Sequence, residues 1–92
     1  GSLLLDQAMY YNRDPGYMAM LAMHHLTVEA AKHVEASGLS RRELARRLGT
    51  SVPQLYRLLD SANTKKSLTQ LIALLSVLDC EVELVVKQKG AA

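Results

Sequence analysis

The sequence predicts a small, mostly α-helical bundle that ends in one β-strand. Its 92 residues are 49% hydrophobic yet include no Trp and no Phe, which favours a core of aliphatic side chains, as in a helical bundle. Three Ser residues are each followed, three positions later, by Glu or Gln, and this capping-box pattern predicts the start of a helix. Near the C-terminus the hydrophobic period shortens to about two residues, which indicates a strand. The three helix starts are predicted at Ser40, Ser51 and Ser67.

An N-terminal helical extension is predicted over residues 1–25. Gly1 and Ser2 resemble a tag remnant and carry no argument. Residues 3–11 are apolar on one side, and the sequence leaves open whether they form a short helix or a strand.

The first long helix is predicted from about residue 15 to residue 36. Asp14 offers a side-chain acceptor at the N-cap, and Pro15 suits the first helical position, where its missing N–H costs nothing. Gly38 follows the helix and supplies the left-handed conformation of a C-cap. The inward side is expected to carry Leu26, Ala30 and Val34.

A last helix is predicted from residue 68 to about residue 78. Its apolar residues cover a wide arc, which predicts burial on more than one flank. The inward stripe is expected to consist of Leu68, Leu71, Leu75 and Leu78, flanked by Ile72 and Leu74.

The charge of the chain is concentrated in one stretch. Residues 39–66 contain seven basic and two acidic residues, a net charge of +5, whereas the remainder contains four basic and seven acidic residues, a net charge of −3. A basic patch on an acidic body is typical of a phosphate-binding surface. The sequence shows no Gly-rich phosphate loop, nucleophile motif or metal-ligand spacing, so we predict a binding protein without a cofactor or metal rather than an enzyme.

Two short amphipathic helices joined by a tight turn are predicted within residues 39–59. Gly49 suits the turn, which needs a positive φ angle, and Ala45 is small enough for two helices to cross closely. This is the helix-turn-helix arrangement, whose second helix enters the major groove of duplex DNA. The inward faces are expected to carry Leu44, Ala45 and Leu48 in the first helix and Leu55, Leu58 and Leu59 in the second.

The motif LARRLGTS at residues 44–51, followed by Leu55 and Leu58, resembles the helix-turn-helix of the phage repressor and Cro family, the XRE type. The resemblance continues through SLTQL at residues 67–71. It implies a lambda-repressor-like helix-turn-helix bundle of five-helix type, with the DNA-binding domain at residues 26–79. It also implies that the protein is a transcription regulator.

The resemblance assigns base reading to a recognition helix at about residues 52–59. Arg57 can donate two hydrogen bonds to guanine O6 and N7, a contact worth ~1–3 kcal/mol of discrimination. Gln54 is expected to read adenine, provided that its side chain is not occupied by its own capping box. The expected base contacts are Val52, Pro53, Gln54 and Arg57, of which the first two offer only apolar contact. The expected phosphate contacts are Arg42, Arg46, Ser51, Tyr56, Asn63, Thr64, Lys65 and Lys66.

Residues 80–92 are predicted to form a dimerisation strand and a short tail. Alternation places Val82, Leu84 and Val86 on one face. A lone strand leaves backbone N–H and C=O groups unpaired, so the expected partner is the same strand of a second subunit. The resemblance extends to XRE proteins that dimerise through such a strand, including some HigA-type antitoxins. A homodimer would hold two recognition helices about 34 Å apart on one face of the duplex.

The leading functional prediction is a sequence-specific, double-stranded DNA-binding transcription regulator that acts as a homodimer. The alternative is the antitoxin of a toxin–antitoxin pair, which neutralises a cognate toxin by protein contact and uses DNA binding for autoregulation. The N-terminal extension, which exceeds what a DNA-binding core needs, motivates this alternative. No apolar run approaches 18 residues and no signal-peptide pattern is present, so we expect a cytoplasmic protein without a membrane partner.

Overall fold

The computed structural model describes residues 14–88, and this part of the chain contains four α-helices. The prediction of a mostly helical bundle is confirmed. The segment at residues 3–11, for which helix and strand were both open, lies outside the described residues. None of the helices described here is long and apolar enough to cross a membrane. The helices are α1 (Pro15–Ser37), α2 (Arg41–Leu48), α3 (Val52–Leu59) and α4 (Leu68–Val77).

Each helix begins at the residue that the sequence predicts as its N-cap. The Asp14 carboxylate accepts a hydrogen bond from the Gly16 N–H at 3.0 Å, and each of the three Ser hydroxyls accepts one from the N–H three residues later. Each capping box therefore forms one of its two bonds, the one from the backbone N–H to the Ser hydroxyl. Within the described residues, no Glu or Gln side chain returns a bond to its Ser N–H; the Glu43 carboxylate accepts hydrogen bonds from Arg46 and Arg47 instead.

The turn between α2 and α3 is a Schellman motif built on Gly49. Gly49 lies in the left-handed region at φ +77°, and its N–H donates to the Arg46 carbonyl at 3.2 Å. The Thr50 N–H donates to the Ala45 carbonyl at 2.9 Å. These two bonds satisfy two of the carbonyls in the last turn of α2 and bring the chain directly into α3.

All four helices contribute to one aliphatic core. Leu44 of α2 and Leu55 of α3 are both completely buried, as their spacing predicts. The stripe expected on α4 is partly wrong: Leu68 is 47% exposed, whereas Leu74 is fully buried. Leu68 is the first residue of α4 and lies at the edge of the bundle. The buried apolar residues are Ala30, Val34, Leu44, Ala45, Leu55, Leu58, Leu71, Leu74 and Leu75.

The second half of α1 carries all of the buried residues of this helix, and Met23 of the first half packs against the core while partly exposed. The buried residues of α1 are Thr27, Ala30 and Val34, so none of its residues from Pro15 to Leu26 is buried. The Thr27 hydroxyl donates to the Met23 carbonyl at 2.7 Å. The first half of α1, which belongs to the predicted N-terminal extension, instead exposes apolar side chains such as Met20, at 49%.

Residues 81–88 show no regular secondary structure in the described single chain. Val82 is half-buried and packs against the core, whereas Leu84 and Val86 are 91% and 96% exposed. A β-strand requires hydrogen bonds to a neighbouring strand, and the described part of one chain offers none. The C-terminal strand and its pairing across a dimer therefore stay predictions.

Candidate nucleic-acid interface

Helix α3 presents one apolar face to the core and the other face to solvent. Leu55 and Leu58 are buried, so the exposed face carries the residues expected to read bases. Pro53, Gln54 and Arg57 are exposed. Val52, also expected to contact a base, is instead half-buried and packs against the core. The structure therefore brings three of the four expected base contacts to the surface and turns the fourth towards the bundle.

The Gln54 side chain meets the condition for base reading. The Ser51 hydroxyl accepts a hydrogen bond from the Gln54 backbone N–H at 3.3 Å. The Gln54 carboxamide returns no bond to Ser51 and makes none to any other described residue. Its donor and its acceptor are thus both available, which is the pair of groups that adenine N7 and N6 require.

Arg57 makes no ion pair within residues 14–88, although an acidic residue lies three positions away. The Asp60 carboxylate instead accepts the Ala62 N–H at 2.9 Å and so closes the turn after α3. All five guanidinium N–H groups of Arg57 are therefore available to a guanine edge or a phosphate. The Asp60 carboxylate forms no salt bridge within residues 14–88, so it opposes phosphate close to the end of α3.

Most of the arginines on α2 already have acidic partners. The Arg46 Nε and the Arg47 Nε donate to the Glu43 carboxylate at 2.9 Å and 3.0 Å. Arg41 forms an ion pair with Glu35. One arginine of this helix, Arg42, is exposed and has no partner in the described part of the chain. Of the two expected phosphate contacts on α2, Arg42 is available and Arg46 is paired.

The charge of Glu43 is strongly stabilised by these arginines. Hydrogen bonds from the side chains of Arg46 and Arg47 lower the pKa of Glu43 from 4.5 to about 2. The hydrogen bond between Arg46 and Glu43 also raises the pKa of Arg46. Glu43 is therefore ionised throughout the physiological pH range. One carboxylate is shared by two cations, which reduces the positive field of α2.

The loop between α3 and α4 is braced by Asn63. Its Nδ2 group donates to the Arg57 carbonyl at 3.2 Å, and its Oδ1 atom accepts the Lys65 N–H at 3.0 Å. Asn63 thus uses its side chain on the backbone and ties the end of α3 to the loop. Thr64 and Lys65, also expected to contact phosphate, are exposed.

Lys66 differs from the adjacent lysine. Its Nζ group donates to the Thr27 Oγ1 atom of α1 at 3.0 Å and to the Asp60 carbonyl. Burial lowers the pKa of Lys66, and the charge of Asp60 opposes that shift. The loop therefore directs one lysine towards solvent and the other towards the bundle.

A polar cleft of about 300 Å³ lies between α3, the loop and the start of α4. It brings Arg57 and Lys65 together from two segments of the chain. Ser67 and Gln70 also line the cleft, and the sequence reasoning missed them as candidate DNA contacts. Their signal was the third capping box, since the start of a helix is a favourable place for an anion. The lining residues are Gln54, Arg57, Leu58, Asn63, Lys65, Lys66, Ser67 and Gln70.

Comparison with known proteins gives one match. A family model described as helix-turn-helix matches residues 31–85, which include all of α2, α3 and α4. No curated protein and no solved structure shows significant similarity to the chain.

Proposed function

The chain belongs to the XRE-type helix-turn-helix family, and from this premise we propose that it is a homodimeric regulator that recognises a specific duplex DNA sequence. Proteins of this family are DNA-binding transcription regulators. The observation that carries the finer proposal is the exposed face of α3, where Gln54 and Arg57 have no partner within the described residues. Arg57 offers two parallel N–H donors for guanine O6 and N7, and Gln54 offers one donor and one acceptor for adenine N7 and N6.

Base reading in this proposal rests on two polar residues and one apolar residue. Arg57 pairs with guanine, Gln54 pairs with adenine, and Pro53 contacts a thymine methyl group at the exposed start of α3. The half-buried Val52 supports the position of the helix. A reading surface this small favours two copies of the protein on one operator.

Phosphate contacts fix the orientation of α3 in the groove. The exposed residues around α3 supply them, because they can reach a backbone on either side of the major groove. Asn63 contributes by holding the loop through its bonds to the backbone. The proposed phosphate contacts are Arg42, Ser51, Tyr56, Thr64 and Lys65, with Arg46 recruited from its ion pair.

The C-terminal segment is the proposed dimer contact. Leu84 and Val86 are almost completely exposed, and Val82 ties the segment to the core. Pairing with the same segment of a second copy would cover these side chains and satisfy the backbone groups. Two-fold symmetry would then present two α3 helices to successive turns of the major groove.

A salt titration tests the DNA-binding proposal. A pseudo-palindromic duplex, selected from a random library with the wild-type protein, is titrated by fluorescence anisotropy at several salt concentrations. Each phosphate neutralised by Lys or Arg makes the slope of log K against log salt more negative by about 0.9, so Arg42 and Lys65 in two subunits predict a slope of about −4 for a dimer. The slope should be steeper than this where Arg46 leaves Glu43 for a phosphate. Absence of binding at low salt, or a flat salt response, would overturn the proposal.

A pair of substitutions tests the dimer. Leu84→Lys places a charge in the proposed interface, whereas Val85→Lys places one on the opposite face of the same strand. Sedimentation equilibrium should show weaker self-association for Leu84→Lys by at least about tenfold and little change for Val85→Lys. A wild-type protein that stays monomeric at high concentration, both free and on DNA, would exclude the dimer.

A further inference from the structure

We propose that Lys66 is a positioning residue, which holds the DNA-contacting loop against α1 and does not itself contact phosphate. This inference rests on the proposed function and deepens it, because it divides two adjacent lysines into different roles. Its basis is the pair of bonds from Lys66 Nζ to Thr27 Oγ1 and to the Asp60 carbonyl. The first of these joins residues that are 39 positions apart in the sequence.

Thr27 is an acceptor that DNA cannot reach. Its residue is 1% exposed, and its hydroxyl hydrogen is committed to the Met23 carbonyl at 2.7 Å. Its oxygen therefore meets Lys66 as an acceptor at 3.0 Å. A buried hydroxyl favours a full set of hydrogen bonds, so the cation and the hydroxyl hold each other in place.

The two bonds of Lys66 join the ends of the loop to each other and hold the loop against α1. Asp60 directly follows α3, and Lys66 directly precedes the N-cap of α4. Between them, Asn63 joins the Arg57 carbonyl to the Lys65 N–H. The position of the Lys65 side chain relative to Arg57 thus depends on the Lys66 contacts, although Lys65 makes no contact with Thr27.

The ammonium group of Lys66 is poorly placed as a phosphate ligand. Two of its three N–H donors are used inside the protein, and the residue is half-buried. Transferring it to a phosphate would remove the cation partner of Thr27. Lys65 is exposed, so the two lysines form a matched pair of equal charge for experiments.

A double-mutant cycle on DNA affinity tests the inference. Thr27→Val removes the acceptor without altering the DNA-facing surface, and Lys66→Met removes the cation at similar length. Each should weaken binding by the folded protein about 2- to 10-fold, the range that one hydrogen bond supplies. The double variant should be scarcely weaker than Lys66→Met, because both changes remove the same contact.

Lys65→Met is the matched control. It should reduce the salt slope by about 0.9 per subunit, whereas Thr27→Val, which removes no cation, should change the slope less. Because the Thr27–Lys66 contact positions Lys65, Thr27→Val should cost less affinity in the Lys65→Met background than in the wild type. If Lys66 contacts phosphate, Thr27→Val leaves affinity unchanged and Lys66→Met reproduces the slope change of Lys65→Met. That pair of results would overturn the positioning role.

Hydrogen exchange on the free protein separates this inference from the DNA-binding proposal. The Asn63 and Lys65 amides should exchange faster in both Thr27→Val and Lys66→Met, and no faster in Lys65→Met, at a temperature where circular dichroism shows all variants folded. Unchanged exchange in Thr27→Val and Lys66→Met would refute the positioning role even if DNA binding holds. Faster exchange in a protein that binds no DNA would keep the loop attachment and reject the proposed function.

Discussion

Helices α2 and α3 have the same length and the same anchoring but differ in how their charges are used. Both have eight residues, begin at a Ser N-cap and bury a Leu completely. Helix α2 carries four arginines, of which three are paired with Glu35 or Glu43. Helix α3 carries one, Arg57, which has no ion pair within residues 14–88. Each helix therefore offers one unpaired arginine within the described residues, Arg42 in α2 and Arg57 in α3, although α2 carries four arginines and α3 carries one.

This difference shows that the local count of charges is a poor guide to a binding surface. Exposed ion pairs are worth little in water, so Arg46 and Arg47 can still leave Glu43 for a phosphate. To bind a phosphate, Arg46 and Arg47 must share or lose Glu43, whereas Arg57 gives up only bound water. The experiments below test whether the two helices are alike in anchoring and different in binding.

Removing the buried leucines should have the largest effect, and it should be similar for both helices. Leu44→Ala and Leu55→Ala are each expected to lower the free energy of unfolding by about 2–5 kcal/mol, because each leaves a cavity in a small core. Urea denaturation measures this change. Leu68→Ala, at a position that is 47% exposed, is the control and should cost less than about 1 kcal/mol. A large difference in unfolding free energy between Leu44→Ala and Leu55→Ala would show that the two helices are not equally anchored.

The two helices should differ most clearly in arginine substitutions. Arg57→Ala is expected to cost about 1–3 kcal/mol of discrimination between the selected duplex and one with its guanine replaced, about 5- to 150-fold. Arg46→Ala should weaken both duplexes alike and less strongly. Competition binding with the two duplexes measures the ratio, and Arg57→Lys tests whether the guanidinium fork is needed. An unchanged ratio in Arg57→Ala would remove base reading from this residue.

The ends of the two helices offer a test of intermediate size. The residue that caps the C-terminus of α2 is Gly49, with φ +77°, whereas the residue that caps α3 is Asp60, with φ −79°. A Cβ atom at position 49 would meet nothing within 4 Å, so Gly49→Ala isolates the cost of the left-handed backbone. We expect a loss of about 1–2 kcal/mol in the free energy of unfolding. A neutral result would mean that the turn relaxes without disturbing α3.

The smallest effects are expected from Glu43→Gln, which releases Arg46 and Arg47. DNA affinity should increase for all sequences alike, and the salt slope should become steeper by up to about 1.8 per subunit. Anisotropy titrations with a specific and an unrelated duplex measure both changes. If neither the affinity nor the slope changes, the two arginines do not reach the DNA even when unpaired.

The same variant tests the pKa of Glu43. That pKa is lowered in the folded protein from 4.5 to about 2, so the ion pairs stabilise the fold above pH 4.5 and lose this contribution as the pH falls towards 2. The difference in unfolding free energy between wild type and Glu43→Gln should shrink over that interval and stay constant above it. A difference that does not vary with pH would contradict the pairing of Glu43.

The helix boundaries and the turn could be predicted because they depend on residues close together in the chain. The Ser N-caps bond to an N–H only three residues away, and Gly49 adopts a left-handed conformation that other residues avoid. The buried faces of α2 and α3 follow from helical spacing alone. Whether the Gln54 side chain is used by its own capping box also depends on nearby residues. Within the described residues that side chain forms no hydrogen bond.

The availability of each cation was decided by the tertiary structure. Lys65 and Lys66 are identical neighbours, and the contacts of Lys66 with Thr27 on α1 and with the Asp60 carbonyl distinguish them. Similarly, the spacing on α4 could not distinguish Leu68 from Leu74, since burial depends on where the neighbouring helices end. The sequence by itself determined which segments form the helix-turn-helix, because caps and periodicity act locally. Contacts between residues far apart in the chain decided which of its charged groups face a ligand and which hold the fold.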